Sequence, residues 1–237
     1  MLFYKLQHDY IGIPTFEELL IEHFEDGAQK YTIVHSHLGR KANEAFALIL
    51  THVIRRAFHL ETQFALTDTG FYICAKKFID ITKVLKALAR EPLDEVFDAA
   101  IESTHHLKVR FRACAVRSLL IIPHYKGNTK HVRKQNMKSA MLYNAVKRIH
   151  PNHPIIAEAK REVLEDDMDY ENTVSYIKKL QSGKLKIRTE QTTVCSPFAF
   201  HIIAAAYSDM LKSADKHEYI QNMQQMVIAK IALKTKR

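Results

Sequence analysis

LLIEHFEDGAQKYTIVHSHLGRKANEAFALILTHVIRRAF, residues 19–58, contains the change of period that decides the fold. Its first half runs in twos. Leu19, Ile21 and His23 share one strand face; Tyr31, Ile33, His35 and His37 share another, while Thr32, Val34 and Ser36 point the opposite way. Asp26 and Gly27 between these β-prone runs form the turn of an antiparallel hairpin. The pattern leaves open which face meets the core. Past Gly39 the period lengthens to about 3.6, and Ala42, Ala45, Phe46, Ile49, Leu50, Val53 and Ala57 form the apolar stripe of a helix.

Downstream, ETQFAL and FYICA flank TDTG as a second hairpin, so two hairpins and a helix build a small antiparallel sheet covered on one face. After about residue 78 the period is mainly helical: ITKVLKALA, LDEVFDAAIES, HLKVRFRACAVRSLLII, NMKSAMLYNAVKRI, PIIAEAKREVLEDD and YENTVSYIKKLQSG follow one another. Pro154 suits a first turn and Gly183 a C-terminal stop. KLKIRTEQ reads as an extended or irregular link, and a helix starts near Ser196 with Pro197 at its first position. The last helix sets Tyr219, Met223, Met226, Val227, Ile231 and Leu233 on one side. The expected class is α+β: residues 1–90 form an α+β subdomain of two hairpins and helices, and 91–237 a helical subdomain, with the boundary within 76–104.

With 237 residues, 47% hydrophobic, and only six Gly and six Pro, the composition is that of a folded chain. No apolar run reaches the roughly 20 residues of a membrane span, and MLFYKLQHDY lacks the apolar segment of a signal peptide, so a cytoplasmic location without membrane contact is expected. Cys74, Cys114 and Cys195 are too scattered for a metal knuckle or a redox pair and read as buried free thiols. The net charge of +9 is uneven: residues 101–150 carry 11 Lys/Arg against one acid, whereas 1–100 carry 11 against 14 and 151–237 carry 13 against 11. A localised basic field attracts a polyanion.

That segment supplies Lys108, Arg110, Arg112 and Arg117 on one helix, then Lys126, Lys130, Arg133, Lys134 and Lys138 around the next connection. Arginine offers forked hydrogen bonds and lysine diffuse neutralisation, which together hold a phosphate backbone without reading its sequence. Arg110 and Arg117 are seven apart, and Lys130, Lys134 and Lys138 four apart, so each series can line one helix face. The same segment has a second reading, a solvated helical surface with Arg110 or Arg117 paired to the acids of residues 162–171; a third is another anionic partner. Tyr125, beside the Gly127–Asn128 turn, is the candidate for stacking on an unpaired base, which would favour single strands or junctions. KGNTK lacks the glycine spacing and the Lys-Ser/Thr pair of a nucleotide phosphate loop. His35 and His37, or His105 and His106, have no companions at metal-ligand spacing, and no residues have the pattern of a catalytic site.

VHSHLGRKANEAFA (34–47), FRACAVRSLLII (111–122), YKGNTKHVRKQNM (125–137), REVLEDDMD (161–169) and SPFAFHIIAAAYSDML (196–211) resemble, in order, the region that follows the motor domains in archaeal large helicase-related (Lhr) proteins of the Ski2-like group. The likeness runs from about residue 15 to 231. It implies a DNA or RNA helicase in which ATP-driven motors precede a winged-helix domain and a C-terminal domain that guides the strand. Motor and winged helix, in cis or in trans, are then the implied protein partners. ATP and Mg belong to the motors, no cofactor is expected on this chain, and no catalysis is expected of it alone. The resemblance implies that Gly39, Arg40 and Asn43 at the strand-to-helix junction, and Arg112, Arg117, Lys126, Gly127 and Lys130 on the basic helix and loop, face nucleic acid, the alternative for Arg40 or Arg117 being to brace a domain interface. The expected function is a strand-guiding accessory module, the alternative a structural module that docks on the motors.

Overall fold

The computed structural model describes the backbone of residues 2–27, 29–102, 104–122, 124–125, 128–129, 132–206 and 213–235, and side chains for 3–27, 29–102, 104–122, 139–204 and 221–233. It is α+β, and its chain forms two compact units: Met1–Glu91 with Asn172–Arg237, and Pro92–Glu171.

The first unit is built on a five-stranded sheet in which β3 (Gln63–Leu66), β4 (Phe71–Ala75), β2 (Gln29–His35), β1 (Glu18–Asp26) and β7 (Lys186–Thr192) neighbour one another in that order. The short helix α3 (Ile81–Leu88) follows β4, and β5 (His124–Tyr125) and β6 (Asn128–Thr129) pair separately in the second unit. β1 and β2 form the first hairpin, with Phe24 opposite Tyr31 and Asp26 opposite Gln29. β3 and β4 form the second, and β4 pairs antiparallel with β2. KLKIRTEQ is not a link: Lys186–Thr192 forms β7, parallel to β1, with Leu20 opposite Arg188.

The sheet is covered on both faces, not one. Phe24, Tyr31, Ile33, Tyr72 and Cys74 pack with Phe200, Ile202 and Ile203 of α9 (Phe200–Ala206) and with Met223 and Val227 of α10 (Ser213–Thr235). Toward the opposite side, Phe71 meets Phe46 of α2 (Arg40–Phe58) edge to face, with ring centroids 5.5 Å apart. Burial on two faces explains why β2 reads Tyr-Thr-Ile-Val without clean alternation. In α2 the expected stripe is buried except Ala57, and Ala47 and Ile54 join it. Each large side chain so buried contributes roughly 1.5–3 kcal/mol. On α10, Met226 and Leu233 of the expected stripe are exposed, and Tyr219 lies outside the described side chains.

The junction from β2 into α2 is pinned by Asn43. Its amide donates to the carbonyls of Thr67 (2.9 Å) and Asp68 (3.1 Å) and accepts from the Ser36 hydroxyl (2.5 Å), tying the 67–70 turn to the strand end. The His37 and Gly39 amides donate to the Thr69 and Asp68 carbonyls. Gly39 has φ 84°, a glycine conformation; His37 has φ 51°, which a non-glycine residue rarely adopts.

The second unit packs α4 (Leu93–Glu102), α5 (His105–Arg117), α6 (Val132–Ile149) and α7 (Pro154–Glu162) around Phe97, Leu107, Phe111, Tyr143, Ile156 and Val163. Thr104 caps α5 by accepting from the Leu107 amide, and His153 with Pro154 starts α7. α5 stops at Arg117 rather than running through Ile122, and Leu119 turns the chain at φ 61°. α7 passes into one π-helical turn, Val163–Asp167, before α8 (Tyr170–Gln181). The three cysteines are free and buried. Among the described residues, no helix is long and apolar enough to cross a membrane, and no three His, Cys, Asp or Glu side chains gather to hold a metal.

Candidate nucleic-acid interface

The basic segment folds into a unit that almost cancels it. Residues 92–171 carry 13 Lys/Arg against 11 Asp/Glu, because the acids of 158–171 pack into the same unit. The π turn presents them: Asp167 takes a forked pair of hydrogen bonds from Arg110, one of them 2.9 Å from Nε, and Glu162 lies 3.4 Å from the same guanidinium. Arg117 also donates to Glu162, which is nearly buried. The hydrogen bond to Asp167 holds the Arg110 guanidinium well above its ordinary pKa. Lys147 pairs with Glu102 at 2.8 Å and Lys160 with Asp98 at 2.9 Å. Acid pairing, the second reading of Arg110 and Arg117, is therefore what the structure shows for their side chains.

Arg112 is half-buried and has a partner; Lys108 and Arg40 are exposed and carry no ion pair among the described residues. Lys126 and Lys130, and the side chains of Tyr125, Arg133, Lys134 and Lys138, lie outside the described residues. Directly after Arg117, Leu119, Leu120 and Ile122 are exposed, Leu119 at 76%.

The charge excess resides in the other unit, where 22 Lys/Arg face 15 Asp/Glu. That unit also holds a groove of about 890 Å³, which no sequence pattern announced. Its walls come from segments far apart in the chain: the N-terminal helix α1 (Leu2–Ile11) and following turn, the β2–α2 junction, α8, and the 3₁₀ turn Pro197–Ala199. Phe198 forms an aromatic wall, stacked on Phe3 with centroids 5.5 Å apart and edge-on to Tyr4 and His37. Phe16, 95% exposed, stands at the groove, and Tyr4 is 62% exposed. Thr15, Ser175 and Asn172 add hydroxyl and amide groups, and Lys179 a cation. Gly183, at φ 72°, ends α8; the Lys184 amide then donates to the Lys179 carbonyl at 3.0 Å, and Lys178, Lys179 and Lys184 are exposed.

Beneath the groove lies a fully buried polar cluster. The Glu22 carboxylate accepts from Thr192 Oγ1 (2.9 Å), the Ser196 amide (2.6 Å), Ser196 Oγ (2.7 Å) and His35 Nε2 (3.1 Å). Ser196 thus spends its hydroxyl on Glu22 instead of capping a helix. His35 lines the groove, and its Nδ1 is buried without a hydrogen-bond partner. Burial, together with nearby His35, lowers the His37 pKa, and burial pushes that of Tyr176 up to about 12, so both groove residues are neutral at pH 7.

A family described as DEAD/H associated matches residues 13–199. ATP-dependent helicase Lhr-Core of Methanothermobacter thermautotrophicus is 34% identical over 97% of the chain, which spans 27% of that protein. Lhr-Core of Sulfolobus acidocaldarius is 31% identical over 91% of the chain and 25% of its own length. A Mycobacterium smegmatis Lhr helicase, solved with single-stranded DNA and AMP-PNP, superposes with a TM-score of 0.70 at 23% identity, over 85% of this chain and 26% of that one.

Proposed function

Because this chain belongs to the DEAD/H associated family of Lhr-type helicases, we propose that it is a strand-guiding module of an ATP-dependent helicase, binding DNA or RNA without a motor of its own. The chain spans only about a quarter of these two Lhr-Core relatives, and the activity proposed for the whole is theirs by name, that of an ATP-dependent helicase; ATP and Mg are proposed to act on motor domains and not on these residues. The observation that carries the reading is the aromatic groove with Lys179 beside it, in the unit that holds the cationic excess. Rings stack on bases whatever their identity, and lysines neutralise the linking phosphates. The single-stranded DNA held by the mycobacterial relative supports the same direction.

Titration of the chain with matched single-stranded and duplex ligands over several salt concentrations tests this. Affinity should fall with salt at about −0.7 per phosphate engaged by a single strand. Replacing Lys179 and Lys184 should flatten that slope, and so should replacing Lys126 and Lys130, the loop lysines proposed to meet phosphate. Salt-independent or undetectable binding by folded protein would refute it.

A second reading applies to residues 92–171. There Arg110 and Arg117 are spent on acids, and an apolar run, Leu119, Leu120 and Ile122, is exposed directly after Arg117 in the chain. Such a surface supports the alternative proposal, a module that docks on a motor domain. Replacing Leu120 and Ile122 with serine should weaken assembly with the motors and leave strand affinity of the chain unchanged.

A further inference from the structure

We propose that the groove of the first unit is a seat for one unpaired nucleobase, which stacks on Phe16 and the aromatic wall and reaches the polar groups of the floor. The inference rests on the strand-guiding reading and adds to it a site and a chemical class of occupant.

Three features select a base over an apolar side chain or a lipid tail. The first is ring content. Phe3, Tyr4, Phe16, Tyr176 and Phe198 line the groove, and Phe16 exposes nearly its whole surface, an arrangement that burying an aliphatic chain does not need but stacking a flat heterocycle does. The second is the buried nitrogen. His35 Nε2 is held by Glu22, which fixes the ring, and Nδ1 is left as a buried polar atom without a partner on a groove-lining residue. Such atoms are uncommon, and a base edge, directly or through one water, supplies the missing bond. The third is charge. Lys179 lines the groove, and Lys178 and Lys184, exposed and near it in sequence, add cations available to the phosphates of a strand whose base is seated there. A volume of about 890 Å³ lies within the roughly 300–1,000 Å³ of small-ligand sites.

The wall is held in place from behind. Ser36, His37 and Leu38 enter the groove from the junction that Asn43 anchors, where His37 keeps its φ of 51°. A backbone conformation that non-glycine residues seldom adopt is retained at the position where the chain must turn its imidazole toward Phe198.

The experiment compares an oligonucleotide of about ten deoxynucleotides with one of the same length in which every base is removed and the phosphates kept. Both are titrated against the chain and its Phe16→Ala variant over a range of salt. Phe16 is exposed, so its truncation leaves the fold intact; the circular dichroism spectrum verifies this. The sequence contains no tryptophan, so Phe16→Trp adds a single fluorescent reporter at the groove. The expected result is that Phe16→Ala loses on the order of tenfold in affinity for the base-bearing strand, within the range for one stacked base. It should lose nothing for the abasic strand, with the salt slope unchanged, and base-bearing DNA should quench the tryptophan more strongly than abasic DNA. Equal binding of both strands by the parent chain, an unaltered affinity of Phe16→Ala, or an equal loss toward both strands overturns the base seat. In those cases a surviving salt-dependent affinity leaves the strand-guiding reading standing. Absence of binding to either strand overturns both.

Discussion

Glu22→Ala should be among the most damaging single changes in the first unit. The carboxylate is fully buried and accepts four hydrogen bonds, from the Ser196 amide and hydroxyl, the Thr192 hydroxyl and His35 Nε2. It therefore joins β1, β2, β7 and the 3₁₀ turn at one point. Truncation orphans four donors, and breaking a buried charged network typically costs about 3–5 kcal/mol. Out of a total near 5–15 kcal/mol this is a large share. Glu22→Gln should be far milder. With its amide nitrogen in the place of Oε2, it faces the Ser196 hydroxyl, which can rotate to accept, and His35 Nε2, which accepts once the ring shifts its proton to Nδ1. Its oxygen then keeps the Ser196 amide and Thr192, so the loss falls to about 1 kcal/mol. Urea unfolding followed by circular dichroism, with equal slopes for the three proteins, measures both. An alanine variant within about 1 kcal/mol of the parent, or a glutamine variant as unstable as alanine, would refute the reasoning.

Acidification should weaken the fold: burial lowers the pKa values of His23, His37 and His52 below the usual 6.5, so the unfolded chain protonates first and stability falls as pH drops through 6.5 toward the folded values. Melting temperatures at pH 7.5 and 5.5 check this, and His23→Gln should flatten the dependence. Gly70→Ala should cost about 1–3 kcal/mol, because an added Cβ would collide with the Val34 carbonyl oxygen and lie 3.2 Å from Ile202 Cδ1; denaturant midpoints read it out. Arg110→Ala should destabilise residues 92–171 by about 1–2 kcal/mol, the value of a forked, partly exposed bond to carboxylates, while leaving the salt slope of strand binding unchanged; a flattened slope would return Arg110 to the strand. The chain should hydrolyse no ATP in the presence of nucleic acid, since no phosphate loop occurs in it; turnover abolished by a substitution within these residues would contradict this.

The hairpins and α2 were legible in the sequence because each rests on a local signal: a turn pair between β-prone runs, or a stripe repeating every third or fourth residue. β7 was not. Its side chains are largely polar and only Thr192 is buried, so nothing in KLKIRTEQ distinguishes a strand at the sheet's edge from a link, and its partner lies 168 residues away, Lys186 opposite Glu18. For Arg110 and Arg117, spacing put both on one face and left three partners open; Asp167, which Arg110 meets, closes the π turn after Glu162, where the chain leaves the helical register that a spacing argument assumes. Nor could the groove be read, since Phe16, His37, Tyr176 and Phe198 come from four distant segments and none follows a recognisable spacing.

The parallel pairing of β7 with β1 sets a timetable. During synthesis, residues 92–171 emerge as one uninterrupted stretch and can collapse on local contacts. β1, although translated before them, must wait with one edge unsatisfied until residue 192 has left the ribosome. An open strand edge during that interval is the surface on which chains stick to one another. Expression at lower temperature or with chaperones should therefore improve the soluble yield of intact chain, whereas a version ending at residue 171 should aggregate at any temperature.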